Sequence, residues 1–185
     1  MLTDPIILPY KGITPKIHPT ALIMPGVVII GDVEIGEYSN IWPGVVVRGD
    51  INYIRIGKRT NIQDGTIIHV TRPDLVQAGQ GMTIIGDDIT IGHQALLHAC
   101  ILENGSFVGM GATVIDGATV QSGGMVAAGA VVTYRKVVPT GQIWAGNPAK
   151  FLREMKQSEK DYLLESAQNY VNDAAEYMKA FKASK

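Results

Sequence analysis

Aliphatic residues recur at every sixth position along most of this chain, with polar or small residues between them. The series runs Ile17, Ile23, Ile29, Ile35, Ile41 and Val47, then Ile56, Ile62 and Ile68, then Ile85, Ile91 and Leu97. It closes with Leu102, Val108, Val114, Val120, Val126 and Val132. Glycine often follows the aliphatic residue (Gly36, Gly57, Gly86, Gly92, Gly109), and a small or branched residue often sits four places on (Thr60, Thr66, Ala95, Ala112, Ala118, Ala130). A six-residue period of this kind predicts an all-β solenoid, a parallel β-helix in which each unit is a short strand plus a turn. Three units close a coil, and buried positions stack on those of the coils above and below. The eighteen aliphatic positions predict about six coils, roughly 29 Å long at ~4.8 Å per rung.

The interruptions carry as much information as the repeat. Three extra residues separate Val47 from Ile56, eleven beyond the usual six separate Ile68 from Ile85, and one is missing between Leu97 and Leu102. Insertions in a solenoid are loops on its outside. With them set aside, Val47, Ile68 and Leu97 share one face of three successive coils. Arg48, His69 and His98 then occupy one outward column, with the two imidazoles about one strand spacing apart, ~5 Å. By the same counting Ile62 and Ile91 share another face, which stacks Gln63 near Gly92 and Asp64 near His93.

His93 lies across a coil corner from His98 and should point away from the other two histidines, so a neighbouring subunit has to supply it to their site. The pattern predicts three imidazoles at an interface, His69 and His98 from one chain and His93 from the next, with a fourth position open to water. That is the donor set of a catalytic zinc. Arg48, Asp50, Gln63 and Asp64 ring the histidines as a polar cluster, whereas His18 stands outside it and reads as a solvated surface residue.

The strings RGD at 48–50, NIQDG at 61–65, GH at 92–93 and VGMGA at 108–112, together with His69 and His98, resemble those of the gamma-class carbonic anhydrases and their bacterial relatives. The resemblance runs from about Ile29 to Lys150. It implies a left-handed β-helix, a homotrimer, and a metal at each subunit interface held by His69, His93 and His98. It also implies that Gln63 hydrogen-bonds hydroxide on the metal and that Arg48, Asp50 and Asp64 align the site and join subunits. Asn61 is implied near the site, and Tyr170 of the terminal helix within reach of the metal pocket.

The implied activity is reversible hydration of carbon dioxide to bicarbonate by hydroxide formed on the metal. Zinc is the default, and imidazole sites also take Fe2+ or Co2+. One departure stands out: some active members of the family carry an acidic loop whose glutamates relay protons. Here the insertion at 71–83 holds Asp74 and no glutamate, which argues for slow turnover. The alternatives are a metal-binding trimer with little or no hydratase activity and a hexapeptide-repeat acyltransferase.

In chain order, residues 1–16 read as an extended segment laid along the prism, because Pro5, Pro9 and Pro15 oppose a helix and a basic start and apolar core of a signal peptide are lacking. Residues 17–138 form the solenoid, with Asn52 to Arg55 as a bulge or tight loop and 71–83 as a candidate lid over the metal. Residues 139–157 are a turn-rich exit. A helix follows at 158–182, with Ser158 and Asp161 as a capping box and Leu163, Ala167, Tyr170, Ala174, Tyr177 and Phe181 as its apolar stripe. Gly109, Gly111, Gly123 and Gly124 read as coil corners, where positive φ favours glycine.

Composition adds exclusions. With 46% hydrophobic residues, 18% charged residues and a net charge of -1, the chain is an ordinary globular sequence with no basic excess for nucleic acid. No stretch reaches the ~18 consecutive apolar residues of a membrane span, so a cytoplasmic location is expected. Cys100, the single cysteine, cannot form an internal disulfide and reads as a small buried hydrophobe.

Overall fold

Residues one coil apart pair in parallel, and the resulting strands stack into three faces. A computed structural model describes residues 4–77 and 79–183. The first face is built from Leu22–Ile23, Asn40–Ile41, Asn61–Ile62, Thr90–Ile91, Phe107–Val108, Met125–Val126 and Gln142–Ala145. The second joins Ile6–Leu8, the first halves of Val28–Ile35 and Val46–Ile56, then Ile67–His69, Leu96–His98, Thr113–Val114 and Val131–Val132. The third joins Lys16–Ile17, the second halves of the same two long strands, then Thr83–Ile85, Ile101–Leu102, Thr119–Val120 and Val137–Val138. Each face therefore holds seven parallel strands among the described residues, one rung more than the aliphatic count predicts.

Every stacking position from Ile29 to Val132 is buried. β-Branched side chains dominate these columns because they pack well on a pleated surface. The small residues four places on fill the corners: Thr60, Thr66, Ala112, Ala118 and Ala130 are fully buried. Thr60 and Thr66 also donate to the carbonyls of Gly86 and Gly92, at 2.8 and 3.2 Å, which ties one coil to the next.

One expectation holds: Val46–Ile56 carries the three extra residues as a bulge, since 50–53 face only Asp32 between the Gly31–Gly49 and Val33–Ile54 pairs. The amino-terminal segment is extended at Ile6–Leu8, where it joins the solenoid as an edge strand against 28–30. The expected exit at 139–157 holds a further coil: Trp144 pairs with Val126, and Lys150–Glu154 then returns antiparallel on Gln142–Ala145. Turn residues such as Pro139 and Gly141 mask this last coil because they serve as its corner.

Corner glycines also divide into two kinds. Gly111 and Gly123 have φ of +65° and +64°, whereas Gly109 is required because a Cβ there would collide with the Ala128 backbone of the next coil.

The helix Gln157–Ala183 lies across the first face, over Asn40–Ile41, Asn61–Ile62 and Thr90–Ile91. Leu163, Ala167 and Ala174 are buried, and Trp42 meets the rings of Tyr170 and Tyr177 edge-on at 5.6 and 5.2 Å. The side chain of Phe181, the last member of the predicted stripe, lies outside the described residues. The helix begins one residue earlier than expected, and its cap is different. Glu159, not Asp161, closes it, accepting the Lys156 backbone N–H at 2.8 Å while Arg153 grips both its oxygens at 2.7 Å. Cys100 is fully buried, and burial pushes its thiol up to about 12, which leaves no reactive thiolate.

Candidate metal centre

His69 and His98 are register partners on adjacent strands of the second face. Their ring centroids lie 5.2 Å apart, one rung of the stack. Both follow a fully buried residue, Ile68 and Leu97, so strand alternation turns them outward. Val47 pairs with Ile68 in the preceding coil, which brings Arg48 into the same column.

Carboxylates back all three candidate ligands. His98 Nδ1 lies 2.6 Å from Asp116 Oδ1, and the second Asp116 oxygen accepts the Thr71 hydroxyl at 2.5 Å. His69 Nε2 lies 3.1 Å from Asp50 Oδ1, and Arg48 donates to Asp50 Oδ2 at 2.6 Å. His93 Nδ1 lies 2.9 Å from Asp64 Oδ2, the contact the coil counting anticipates.

Burial opposes ionisation of Asp50, but the hydrogen bonds and charge of Arg48 together with the His69 contact outweigh it, and its carboxyl sits below the usual range. Asp116 is likewise lowered: burial works against it and hydrogen bonds from Thr71 and His98 prevail. His69 is lowered chiefly by burial, against the pull of Asp50, and so favours the neutral form that a metal ligand requires.

Asp116 is the site residue that sequence reasoning misses. Direct register stacks Ile115 beyond His98, because Leu97 pairs with Val114. The shortened corner, where Ala99 takes φ 48° and accepts the Gly117 N–H at 2.7 Å, draws Asp116 back to the imidazole. An acidic residue at the corner of the next coil was the available signal, and the missing residue between Leu97 and Leu102 hid it.

The remaining candidates form a second group on the first face. Gln63 Nε2 donates to Asn61 Oδ1 at 3.0 Å, with Asp64 and His93 beside them. Gln63 and Tyr170 line a cavity of about 290 Å³ with Phe107, Met110, Ala127 and Ala128. Burial, and then the charge of Asp64, raises the Tyr170 phenol above its ordinary value. Among the described residues of one chain, no three His, Cys, Asp or Glu side chains converge on a cation position. The candidates thus fall into two separate groups: His69 and His98 with Arg48, Asp50 and Asp116, and His93 with Asp64, Gln63 and Asn61.

The donor chemistry suits a divalent cation. Carboxylates on Nδ1 of His93 and His98 set the tautomer and leave Nε2 available, the usual outer-shell arrangement of a metal-ligating histidine. At His69 the carboxylate meets Nε2, so a cation there takes Nδ1 or displaces Asp50. The insertion at 71–83 is anchored at its root: Asn52 donates to the Thr71 and Gln80 carbonyls, both at 3.2 Å. Its tip forms the short 3-10 helix Pro73–Leu75.

Known proteins resemble this chain over most of its length. Residues 14–49 match the family model described as bacterial transferase hexapeptide (six repeats). A carbonic anhydrase of Geobacillus kaustophilus is 38% identical over 177 residues, which cover 96% of this chain and 93% of that protein. The chain belongs to the gamma carbonic anhydrase family. The mitochondrial gamma carbonic anhydrase 2 of Arabidopsis thaliana is 44% identical over 174 residues, 91% of this chain, which spans only 62% of that relative's length. The solved structure of a hexapeptide transferase family protein from Anaplasma phagocytophilum superposes with a TM-score of 0.87 at 46% identity, covering 93% of this chain and 98% of that one. Among the described residues, no helix is long and apolar enough to cross a membrane.

Proposed function

We propose that this protein hydrates carbon dioxide reversibly at a metal site shared between copies of the chain, His69 and His98 from one and His93 from the next. The observation that carries the reading is the stacked His69–His98 pair, with a carboxylate behind each ring. Ile67 and Leu96, half-exposed apolar neighbours on the same two strands, support a self-association surface beside the histidines, as a homotrimer requires.

When bound, zinc, or iron or cobalt in its place, supplies a water whose pKa is lowered from about 15.7 to near 7. The chain's own residues do the rest. Asp116 and Asp64 hold the Nδ1 protons of His98 and His93 and so aim the opposite nitrogens. Arg48 keeps Asp50 ionised beside His69. Gln63, tethered to Asn61, orients the attacking oxygen, and Phe107, Met110 and Ala127 offer carbon dioxide an apolar recess.

A second reading, a metal-binding trimer of low turnover, is favoured by Asp74 being the one acidic residue in 71–83. Metal analysis of wild type and His69→Ala, with stopped-flow hydration measured with and without imidazole as a proton carrier, separates them. Hydration that rises with imidazole supports the enzyme. Metal near one ion per chain with rates equal to buffer supports the binder, and acetyl-coenzyme A binding without metal would favour acyl transfer.

A further inference from the structure

Beneath the terminal helix lies a row of polar side chains that a helix-docking surface does not need. Asn40, Asn61 and Thr90 are register partners on the first face, and all three are buried. Gln63 Nε2 donates to Asn61 Oδ1 at 3.0 Å, and Asn61 Nδ2 donates to Thr90 Oγ1 at 2.8 Å. Thr90 Oγ1 in turn lies 3.0 Å from Ser166 Oγ on the helix. Ser166 is 4% exposed and Gln63 5%, so the whole row is out of water. Burial of such groups is unfavourable unless each is paired, and apolar residues of similar shape would seat the helix as well.

The two ends of a glutamine amide are nearly isosteric, one an acceptor and the other a donor. An untethered Gln63 presents either end to a reacting oxygen. Here Asn61 Oδ1 fixes the Gln63 N–H, while Thr90 Oγ1 and the Ile89 carbonyl, at 3.3 Å, fix the Asn61 amide in turn. We propose that Thr90 and Ser166 are positioning residues that lock the polarity of the Gln63 amide through Asn61, so that the terminal helix governs the orientation of a site residue it does not itself supply. The kinetic consequence rests on the hydration reading; the locked amide does not.

The test compares Thr90→Val, which keeps shape and loses the hydroxyl, with Thr90→Ser, which keeps the hydroxyl, and adds Ser166→Ala in case Thr90→Val fails to fold. The side-chain N–H resonances of Gln63, assigned by their loss in Gln63→Leu, should be a single pair protected from exchange in wild type and Thr90→Ser. In Thr90→Val they should be doubled or exchange rapidly, and in Ser166→Ala they should exchange faster than in wild type. In the metal-loaded protein, Thr90→Val should lower kcat/KM roughly ten- to a hundredfold. Under the hydration reading proton release limits turnover in dilute buffer, so kcat there should stay near wild type. Protected, single Gln63 resonances in both Thr90→Val and Ser166→Ala, or equal losses of kcat and kcat/KM in Thr90→Val and Thr90→Ser, would overturn the proposal. Should wild type fail to hydrate carbon dioxide, the hydration reading falls and the resonances still decide this one.

Discussion

His98 and Asp116 belong to successive coils, yet Nδ1 of one and Oδ1 of the other approach to 2.6 Å, and the same carboxylate holds Thr71 at the root of the 71–83 insertion. One acidic side chain thus joins a candidate ligand to a candidate lid. Asp116→Asn should weaken zinc binding roughly 10- to 100-fold, read by competition with a chromophoric chelator. Thr71→Val leaves the imidazole contact in place and should shift affinity far less. Equal losses in the two variants would mean that the insertion, not the carboxylate, orients His98.

Leu96 and Leu97 are neighbours with opposite duties. Leu97 is fully buried and Leu96 is 39% exposed. Leu97→Ala should cost roughly 2–5 kcal/mol of stability, measured by urea denaturation. Leu96→Asp should leave the coil intact by circular dichroism and shift the light-scattering mass toward the single chain. A Leu96→Asp protein of unchanged mass would remove this surface from the assembly.

Gly92 precedes His93, and a Cβ there would lie 2.6 Å from the Met110 backbone nitrogen of the next coil. Gly92→Ala should cost roughly 1–3 kcal/mol through overpacking and lower the zinc retained per chain by displacing His93. Gly111→Ala meets open space at φ +65° and should cost roughly 1–2 kcal/mol of backbone strain with zinc unaffected. Thermal melts paired with metal analysis distinguish the two.

How much of this was legible follows from how local each rule is. The core from Ile29 to Val132 could be read because a single spacing is repeated, and the His69–His98 pair because that spacing survives the eleven-residue insertion when it is subtracted. Asp116 could not, since its contact depends on a corner one residue short, where Ala99 takes positive φ. Trp144 was hidden by corner residues that look like the end of a fold. The cap was misread because Ser158 and Asp161 fit the capping-box spacing, whereas the actual bond uses the backbone of Lys156, whose side chain gives no signal. The proposed sharing of a metal between chains is a matter of assembly, and along one chain its only sign is the coil corner that separates His93 from His98.

Glu159 sets an acid limit on the helix start. The Arg153 hydrogen bonds, with the Lys156 N–H, lower its pKa from 4.5 to about 2. A carboxylate depressed on folding contributes stability above its unfolded value and loses it as pH falls through the folded one. Helicity by circular dichroism should therefore decline between pH 4.5 and about 2, and Glu159→Gln should flatten that decline. The pair is solvent-exposed, so added salt should weaken the effect.

Tyr170 offers a ring to Trp42 and lines the cavity it shares with Gln63. Tyr170→Phe keeps the ring and should melt within about 0.5 kcal/mol of wild type, while Tyr170→Ala should cost roughly 2 kcal/mol or more. A hydration rate that falls in Tyr170→Phe would add the hydroxyl to the site; an unchanged rate would leave the residue a packing element.

Stacked identical rungs contain no instruction to stop, and an open sheet edge invites another molecule to continue the stack. The strand Lys150–Glu154 runs against the direction of all its predecessors on the first face, with a register shift between Ile143 and Trp144. Its Lys150, Arg153 and Glu154 side chains are exposed. A newcomer in parallel register would meet a reversed strand there, so Lys150–Glu154 terminates the parallel ladder of the first face.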